Sequence, residues 1–363
     1  MLGKRLNIML LAILAASLTA CRWIDDDLSD CPEPLPEKAD LTFAYETRLV
    51  TNKQTEIDSV LSLSADRFVK EALEYYAGKI FKDYANDLHT DFYDAGASMA
   101  NVISDDPAMV AMRREFKYSL GPSSYRHLTA ANLSDCGGVS LYGRPGFELA
   151  LVQQTGGGAK PDTLEAHRTG LYTARLDFDI LETLPRTFNV DLFMANCGTA
   201  LVVDGAEAPG IDRNAVRVFV KGFATSFALP DSTFSYPAAY PVFRTDRLPV
   251  NEGTESCFAC IHFPTRDPRT DSSIRTRSYT ETKEPFKSPF TVEPMFVWEV
   301  YVKLPSGSIT KTSLSVYKPV RAGQLKIVKC KLDGDGHVYT DAAEVGASVQ
   351  LNWTPGNEYD IEL

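Results

Sequence analysis

The chain has 363 residues and a formal net charge of −11, from 48 acidic and 37 basic residues. This acidic balance argues against a nucleic-acid partner, because a polyanion would be repelled. Hydrophobic residues make up 44% of the chain, and its length is sufficient for two domains that each bury a core. The 16 Tyr and 19 Phe against 3 Trp favour β-structure.

The first residues resemble a bacterial lipoprotein signal. Lys4 and Arg5 precede an apolar run that is too short to span a bilayer, as is typical of a secretory signal peptide. The run ends in Leu-Thr-Ala-Cys at 18–21, which resembles a lipobox, so residues 1–20 would be removed and Cys21 would carry palmitate-like acyl chains. Each buried methylene adds about 0.8 kcal/mol, so we expect a permanent anchor. An ordinary signal peptide that ends near a cysteine is the alternative.

A tether at 21–40 follows the anchor. Arg22 rather than Asp after the lipidated cysteine argues against retention in the inner membrane. The aspartates within 25–30 resemble the export signal of surface-exposed lipoproteins, although a solvated acidic tether explains them equally well. We expect the protein to be held at the outer membrane and to face the cell exterior.

Six cysteines remain after lipidation. An even number in an exported protein is typical of disulfides, and we expect at least two. Cys257 and Cys260 form a CxxC pair, but they lie in an aromatic and β-branched run without the second pair that a zinc site needs. Buried or disulfide-bonded thiols are therefore favoured over a redox or metal motif. The disulfide candidates are Cys31, Cys136, Cys197, Cys257, Cys260 and Cys330.

Residues 41–204 are predicted to form a β-sandwich with one or two short helices. The alternation of Leu41–Glu46 predicts a first strand. Apolar residues at three-to-four spacing predict a helix over 65–77, with Ser64 as N-cap and Gly78 at C′. A weaker helix is predicted from Asp106 and Pro107, carrying Met109, Met112 and Phe116.

Strands of period two follow. The clearest, 172–180, has apolar residues on one face and charged residues on the other, which is typical of an antiparallel sheet with one wet face. Further strands are predicted at 88–93, 125–131, 148–152 and 190–194.

A shift in composition at 204–212 predicts a domain boundary, so residues 205–363 form the second domain. Short strands with almost no helix predict a second β-sandwich. Residues 264–294, rich in Thr, Ser, Arg and Pro, are predicted to be a long exposed loop. Strands are predicted at 216–220, 257–263, 296–304, 314–317, 325–332 and 347–353.

No pattern of catalytic or metal-ligating residues emerges, so we expect neither an enzyme nor a cofactor. Asp333-Gly-Asp335-Gly resembles the start of a calcium loop but lacks its further ligands and helices, so a tight turn is predicted. The five histidines are scattered, and His127 is predicted to be a core or edge residue of a strand. The glycines at 156–158 precede no helix that could bind phosphate.

Four features occur in order along the chain: a lipobox cysteine, Asp-Leu-Ser-Asp-Cys-Pro at 27–32, a first strand ending in Tyr45, and two successive antiparallel β-domains. Together they resemble the FimB-type anchor subunits of the fimbrillin superfamily, which build type V pili. The resemblance extends over nearly the whole chain. It implies two transthyretin-like sandwiches, a lipid-attached role at the pilus base, and pilin subunits as partners. The helix at 65–77 and the loop at 264–294 depart from this pattern and leave open an anchor, a tip subunit or a stand-alone adhesin.

Two other interpretations remain open. A stalk or tip pilin of that superfamily would be cleaved after an arginine near the first strand, and a cut at Arg48 would remove 41–45. A surface glycan-binding lipoprotein would instead present an aromatic platform, for which Trp298, Tyr301 and Tyr317 are the candidates. Trp298 lies on the apolar face of its strand and is better explained as core.

The C-terminal residues are predicted to form strands at 347–353 and 359–363 around a turn at 354–357. A terminal strand with an apolar face and open hydrogen-bonding groups completes either its own sheet or that of a partner. The resemblance implies that it complements a pilin subunit. The candidate residues of this assembly strand are Val349, Leu351, Trp353, Tyr359, Ile361 and Leu363.

Overall fold

The chain is built mostly of β-strands. The computed structural model describes residues 37–48, 67–82, 84–100, 102–106, 113–147, 151–154, 163–267, 293–341 and 345–350. Within them lie helix α1 (Arg67–Ile80), the single-turn helix α2 (Leu133–Cys136) and a 3₁₀ turn (Arg213–Ala215). No helix of these residues is long and apolar enough to cross a bilayer.

The strands, in chain order, are β1 (Ala39–Arg48), β2 (Leu88–Asp94), β3 (Val102–Asp106), β4 (Arg113–Leu120), β5 (Ser123–Ala131), β6 (Val139–Tyr142), β7 (Leu151–Gln154), β8 (Thr163–Leu164), β9 (Tyr172–Ile180), β10 (Arg186–Met194), β11 (Cys197–Asp204), β12 (Val216–Lys221), β13 (Ser226–Ala228), β14 (Thr233–Ser235), β15 (Val242–Arg244), β16 (Asp246–Arg247), β17 (Glu255–His262), β18 (Phe296–Lys303), β19 (Ile309–Val316), β20 (Leu325–Leu332), β21 (Val338–Tyr339) and β22 (Val345–Gln350).

These strands form four sheets. The first sheet has the order β3-β2-β5-β9-β10-β1-β4, and the second has the order β16-β17-β11-β20-β21. The third has the order β22-β19-β18-β12-β15-β8, and the fourth β14-β13-β7-β6. Most pairs are antiparallel, which confirms the predicted fold class, while β1–β10, β11–β20 and β8–β15 are parallel.

The described residues form four apolar cores, and three of them hold the sheets together. The first core joins the inner face of the first sheet to α1 and to one face of the second sheet. The second core fills the space between the second and third sheets, and the third core lies between the first and fourth sheets. The second sheet is therefore buried on both faces, because α1 covers one face and the third sheet covers the other.

Helix α1 confirms the predicted early helix but corrects its end. The helix continues through Gly78 to Ile80, so Gly78 is not the C′ residue, and Ser64 lies outside the described residues. Ile80 and Phe81 are fully buried in the first core, and this burial extends the apolar face beyond the glycine.

The predicted second helix is wrong where the chain is described. Asp106 ends β3, and Phe116 lies in β4, while residues 107–112 are outside the described part. Phe116, Tyr118 and Leu120 alternate in β4, which pairs antiparallel with β1. Phe116 therefore lies in a strand and not in the predicted helix.

The domain boundary at residue 204 stays a prediction, and strand pairs join residues on its two sides. β11 ends at Asp204, and it pairs with β17 and β20. The change of sheet falls at 195–196, between β10 and β11. The strands β7 and β8 also pair with the later strands β13 and β15. Most of the predicted loop at 264–294 lies outside the described residues.

Candidate assembly site

β1, the first strand after the tether, lies inside the first sheet rather than at its edge. It pairs in parallel with β10 on one side and antiparallel with β4 on the other. At Phe43 the partners are Phe188 of β10 and Phe116 of β4. Arg48, the residue of the proposed cleavage, is the last residue of β1 and pairs with Phe193. The strand that such a cut would remove is thus hydrogen-bonded along both edges.

The side chains of β1 alternate as predicted, with Leu41, Phe43 and Tyr45 fully buried in the first core. Phe43 lies at the centre of a cluster of rings. Its ring centroid lies 6.4 Å from that of Tyr45, 5.1 Å from Phe92, 5.7 Å from Tyr118, 5.4 Å from His127, 5.4 Å from Phe178 and 5.0 Å from Phe188. The strand therefore fills the middle of its sheet's core.

Tyr45 also ties β1 to the buried His127 of β5. The His127 Nδ1 lies 3.0 Å from the carbonyl oxygen of Asp91, so it carries the proton and donates it. Nε2 then accepts from the Tyr45 hydroxyl at 2.8 Å and faces the Thr129 hydroxyl at the same distance. Burial lowers the pKa of His127 to about 4 and raises the pKa of Tyr45. His127 is thus a hydrogen-bonded core residue, as predicted.

β22 forms an outer edge of the third sheet. It pairs antiparallel with β19, from Val345 opposite Val316 to Gln350 opposite Lys311. Within the described residues its other edge has no neighbouring strand. Val349 belongs to this strand and faces Thr312 in the register. The other candidates for the assembly strand, Leu351, Trp353, Tyr359, Ile361 and Leu363, lie outside the described residues.

The predicted disulfides are not found where the chain is described, since Cys136, Cys197, Cys257, Cys260 and Cys330 are all free and buried. Cys21 and Cys31 lie outside the described residues.

Geometry explains these free thiols. Cys257 lies in the first core and Cys136 in the third, away from the cysteines of the second core. Cys197 faces His262 and Cys260 faces Thr199, so the two cysteines are diagonal neighbours. Diagonal neighbours are about 7–8 Å apart, beyond the usual disulfide span of about 4.4–6.8 Å.

The three candidates for an aromatic platform are not exposed, and Trp298 is a core residue, as predicted. Trp298 and Tyr301 are fully buried, and Tyr317 is half-buried. The Asp333 turn has the predicted tight form, because the Asp333 carboxylate accepts from the backbone N–H groups of Asp335 and His337 at 3.0 and 2.8 Å. No group of three or more potential metal-binding side chains occurs in the described residues.

The neighbours of β1 are the feature that sequence analysis missed. β4 supplies Phe116 and Tyr118 to the cluster around Phe43, yet its residues were assigned in part to a helix. The alternation of Phe116, Tyr118 and Leu120 was the available signal.

No family model matches the chain, and no curated protein matches it. Its structure is similar to those of several solved proteins. The fimbrial anchor protein Mfa2 from Porphyromonas gingivalis is 9% identical, with a TM-score of 0.48 over 87% of this chain and 98% of that one. A candidate adhesin from Bacteroides ovatus is 11% identical, with a TM-score of 0.48 over 90% and 98%. The tip fimbrial protein Mfa3 from P. gingivalis is 11% identical, with a TM-score of 0.38 over 87% and 100%.

Proposed function

We propose that this chain is a lipid-anchored surface protein that serves as an anchor or minor subunit of a pilus, in adhesion and pilus assembly. The observation that supports this role is the separation between the start of β1 and the open edge of β22. The tether leads into Ala39, and the lipid at Cys21 would hold that end near the outer membrane.

The separation between the start of β1 and the edge of β22 follows from the directions of the strands and the order of the sheets. β1 and β10 are parallel neighbours, so Ala39 lies at the end of the first sheet opposite Met194. From Met194 only two residues lead to β11 in the second sheet. The second sheet packs on the third sheet, which carries β22 at its edge. The tether therefore enters at the far end of the first sheet, and the open strand edge lies beyond the second sheet.

An open edge at β22 suits strand complementation. Main-chain groups of an edge strand bind a partner strand, and alternate side chains give specificity. Three residues separate the end of β22 from residues 354–363, in which Tyr359, Ile361 and Leu363 alternate with acidic residues. We propose that this segment pairs with the first pilin subunit.

Deletion of residues 354–363 tests the assembly role. The deletion leaves β22 and its pairing with β19 in place, so we expect a folded protein that no longer co-purifies with pilins. Replacement of Tyr359 and Ile361 by Asp should have the same effect, whereas replacement of Glu358 and Asp360 by Ala is the matched control on the other face. If pilins bind the deletion variant normally, assembly uses another surface; if the second core unfolds, the segment belongs to that core.

Replacement of Cys21 by Ser tests the anchor separately. The variant should move from the membrane fraction to the soluble fraction and still bind pilins. Retention in the membrane fraction would contradict lipidation at Cys21. Protease treatment of intact cells should digest the wild-type protein, and complete protection would contradict exposure at the surface.

A second candidate function is that of a tip or stalk pilin matured by cleavage at Arg48. The observation that favours it is the position of β1 between β10 and β4. Release of β1 would leave a groove with backbone groups on both sides and an exposed ring cluster. N-terminal sequencing of the protein from cells distinguishes the two roles, because an anchor would begin at Cys21 and a matured pilin at residue 49.

A further inference from the structure

Three arginines meet beside the 3₁₀ turn that precedes β12. Arg247 donates from Nη1 to Asn214 Oδ1 at 2.6 Å, and Arg217 donates from Nη1 to the Asn214 carbonyl at 2.7 Å. Arg213 lies in the turn itself and reaches the Glu255 carbonyl at 3.5 Å. Arg247 Nη2 lies 3.5 Å from the hydroxyl of the next residue, Ser256. The three guanidinium groups therefore gather around one short stretch of surface.

Within the described part of the chain, no ion pair at contact distance includes a member of this arginine cluster, Arg213, Arg217 and Arg247. The Asp212 carboxylate accepts the backbone N–H of Asn214 at 2.9 Å and caps the turn. Partial burial, together with the charges of Arg213 and Arg217, lowers the pKa of Arg247. The charge of Asp212 acts in the opposite direction on Arg247, so one carboxylate offsets part of the repulsion among three guanidinium groups.

The nearby carboxylates are engaged or directed elsewhere. Glu255 forms an ion pair with Lys329 on β20. Asp246 precedes Arg247 on β16, and successive side chains of a strand point to opposite faces. The guanidinium groups consequently retain donors that no carboxylate of the described residues takes.

A cleft of about 300 Å³ opens next to the cluster. Arg213 of the cluster belongs to its lining, as does Ser256, whose hydroxyl lies 3.5 Å from Arg247 Nη2. The rest of the lining combines apolar side chains, among them Ala208, Pro209, Ile211 and Leu332, with the hydroxyl group of Thr254 and the carboxylate of Asp212, which caps the turn. This volume is at the lower end of small-ligand sites, which are about 300–1,000 Å³.

We propose that the cleft and the arginine cluster together bind an acidic sugar, one that carries a sulfate or carboxylate group. Guanidinium groups match such oxyanions with paired hydrogen bonds. The Thr254 hydroxyl donates to the Asp204 carboxylate at 3.1 Å, so its oxygen can accept from a sugar hydroxyl. An acidic peptide fits less well, because peptide addition needs a long free strand and the edge strand β16 has only two residues. This site does not depend on the proposed role in a pilus.

Titration of the full mature chain in detergent with a sulfated disaccharide tests the site. The unsulfated disaccharide and a short polyglutamate peptide are the competing probes, and calorimetry gives each affinity. The sulfated disaccharide should bind most tightly, more weakly as salt is added, and the unsulfated form should not bind. Arg247→Ala should reduce the affinity about tenfold or more, as expected for a charged hydrogen bond. Arg247→Lys should also reduce it, because lysine keeps the charge but lacks the planar fork.

The matched control is Arg113→Ala, which removes the same charge from the exposed face of β4. It should leave the affinity unchanged, and melting curves should confirm that all three variants remain folded. Equal losses in Arg113→Ala and Arg247→Ala would reveal only general electrostatic attraction and overturn the proposal. Tighter binding of polyglutamate would show that the ligand is an acidic peptide and not an acidic sugar. If neither acidic probe binds, the proposed site does not exist.

Discussion

β1 and β11 are both central strands, but they are buried in different ways. β1 buries large side chains on one face, where Phe43 and Tyr45 pack among rings, while Asp40 on the other face is exposed. β11 is buried along nearly its whole length, with small or aliphatic residues on both faces. Ala200 and Val202 face the first core, and Leu201 and Val203 face the second.

The difference reflects what each strand must contact. β1 has one core to fill and does so with aromatic rings, which bury much area per residue. β11 has a sheet on one side and α1 on the other, so its side chains must be small enough for α1 to approach. At Gly198 an added Cβ would collide with the side chain of Ile80 at the end of the helix. Large buried side chains therefore stabilise β1 in its sheet, whereas close packing against α1 stabilises β11.

The largest expected effect is at Phe43. Phe43→Ala leaves a cavity among six rings and should lower the free energy of unfolding by about 3–5 kcal/mol. Denaturant unfolding measures this change. Thr42→Ala, next to it on the other face of β1, is the matched control and should cost less than about 1 kcal/mol. Equal costs at the two positions would mean that β1 is not held by its buried face.

Acid should destabilise the folded chain through the buried histidine beside β1. Burial lowers the pKa of His127 to about 4 in the folded chain, below the ordinary value of about 6.5 that it takes on unfolding. Its contribution is therefore complete above pH 6.5 and is lost as the pH falls towards 4, because the unfolded chain binds the proton first. The loss is about 1.4 kcal/mol per pH unit, or roughly 3 kcal/mol in all.

Unfolding free energies between pH 7 and 5 check this sign. His127→Gln should reduce the slope of stability against pH, whatever it does to stability at pH 7. An unchanged slope would show that His127 is accessible to protons in the folded chain.

Replacement by alanine should have opposite, smaller effects on stability at two glycines near α1. Gly170 precedes β9, and an added Cβ would lie 2.5 Å from the carbonyl oxygen of Ile80 and 2.8 Å from Met194 Cε. Gly170→Ala should therefore cost about 1–3 kcal/mol through overpacking. Gly78→Ala is the matched control, because nothing lies within 4 Å of its added Cβ and alanine favours a helix by up to about 1 kcal/mol. Melting temperatures should move in opposite directions, and a shift of the same sign would contradict the close docking of α1.

Strands with one buried face could be predicted from the sequence. Tyr172–Ile180 was predicted with the bounds that the structure has, because apolar and polar residues alternate along it. β1 was predicted as a strand for the same reason. Its central position was not predicted, since the alternation of one strand does not identify the strands beside it.

β11 shows why the rest could not be predicted. Its residues Gly198–Val203 contain no polar alternation, because both faces are covered, and such runs do not distinguish a strand from other buried structure. The arginine cluster was missed as well, because Arg217 and Arg247 are brought together only by the pairing of β12, β15 and β17 with their neighbours.

The smallest expected effect concerns the thiols, of which the second core contains three. An even cysteine count predicted disulfides, but Cys197, Cys260 and Cys330 are separate thiols in that core. Burial raises the pKa of each, as it raises the pKa of Cys136 to about 12, so the reactive thiolate is scarce. A thiol reagent should therefore leave these cysteines unmodified in the folded chain and modify them after unfolding. A reductant should leave the melting temperature unchanged, and a drop on reduction, together with linked peptides in mass spectra, would restore the disulfides to this core.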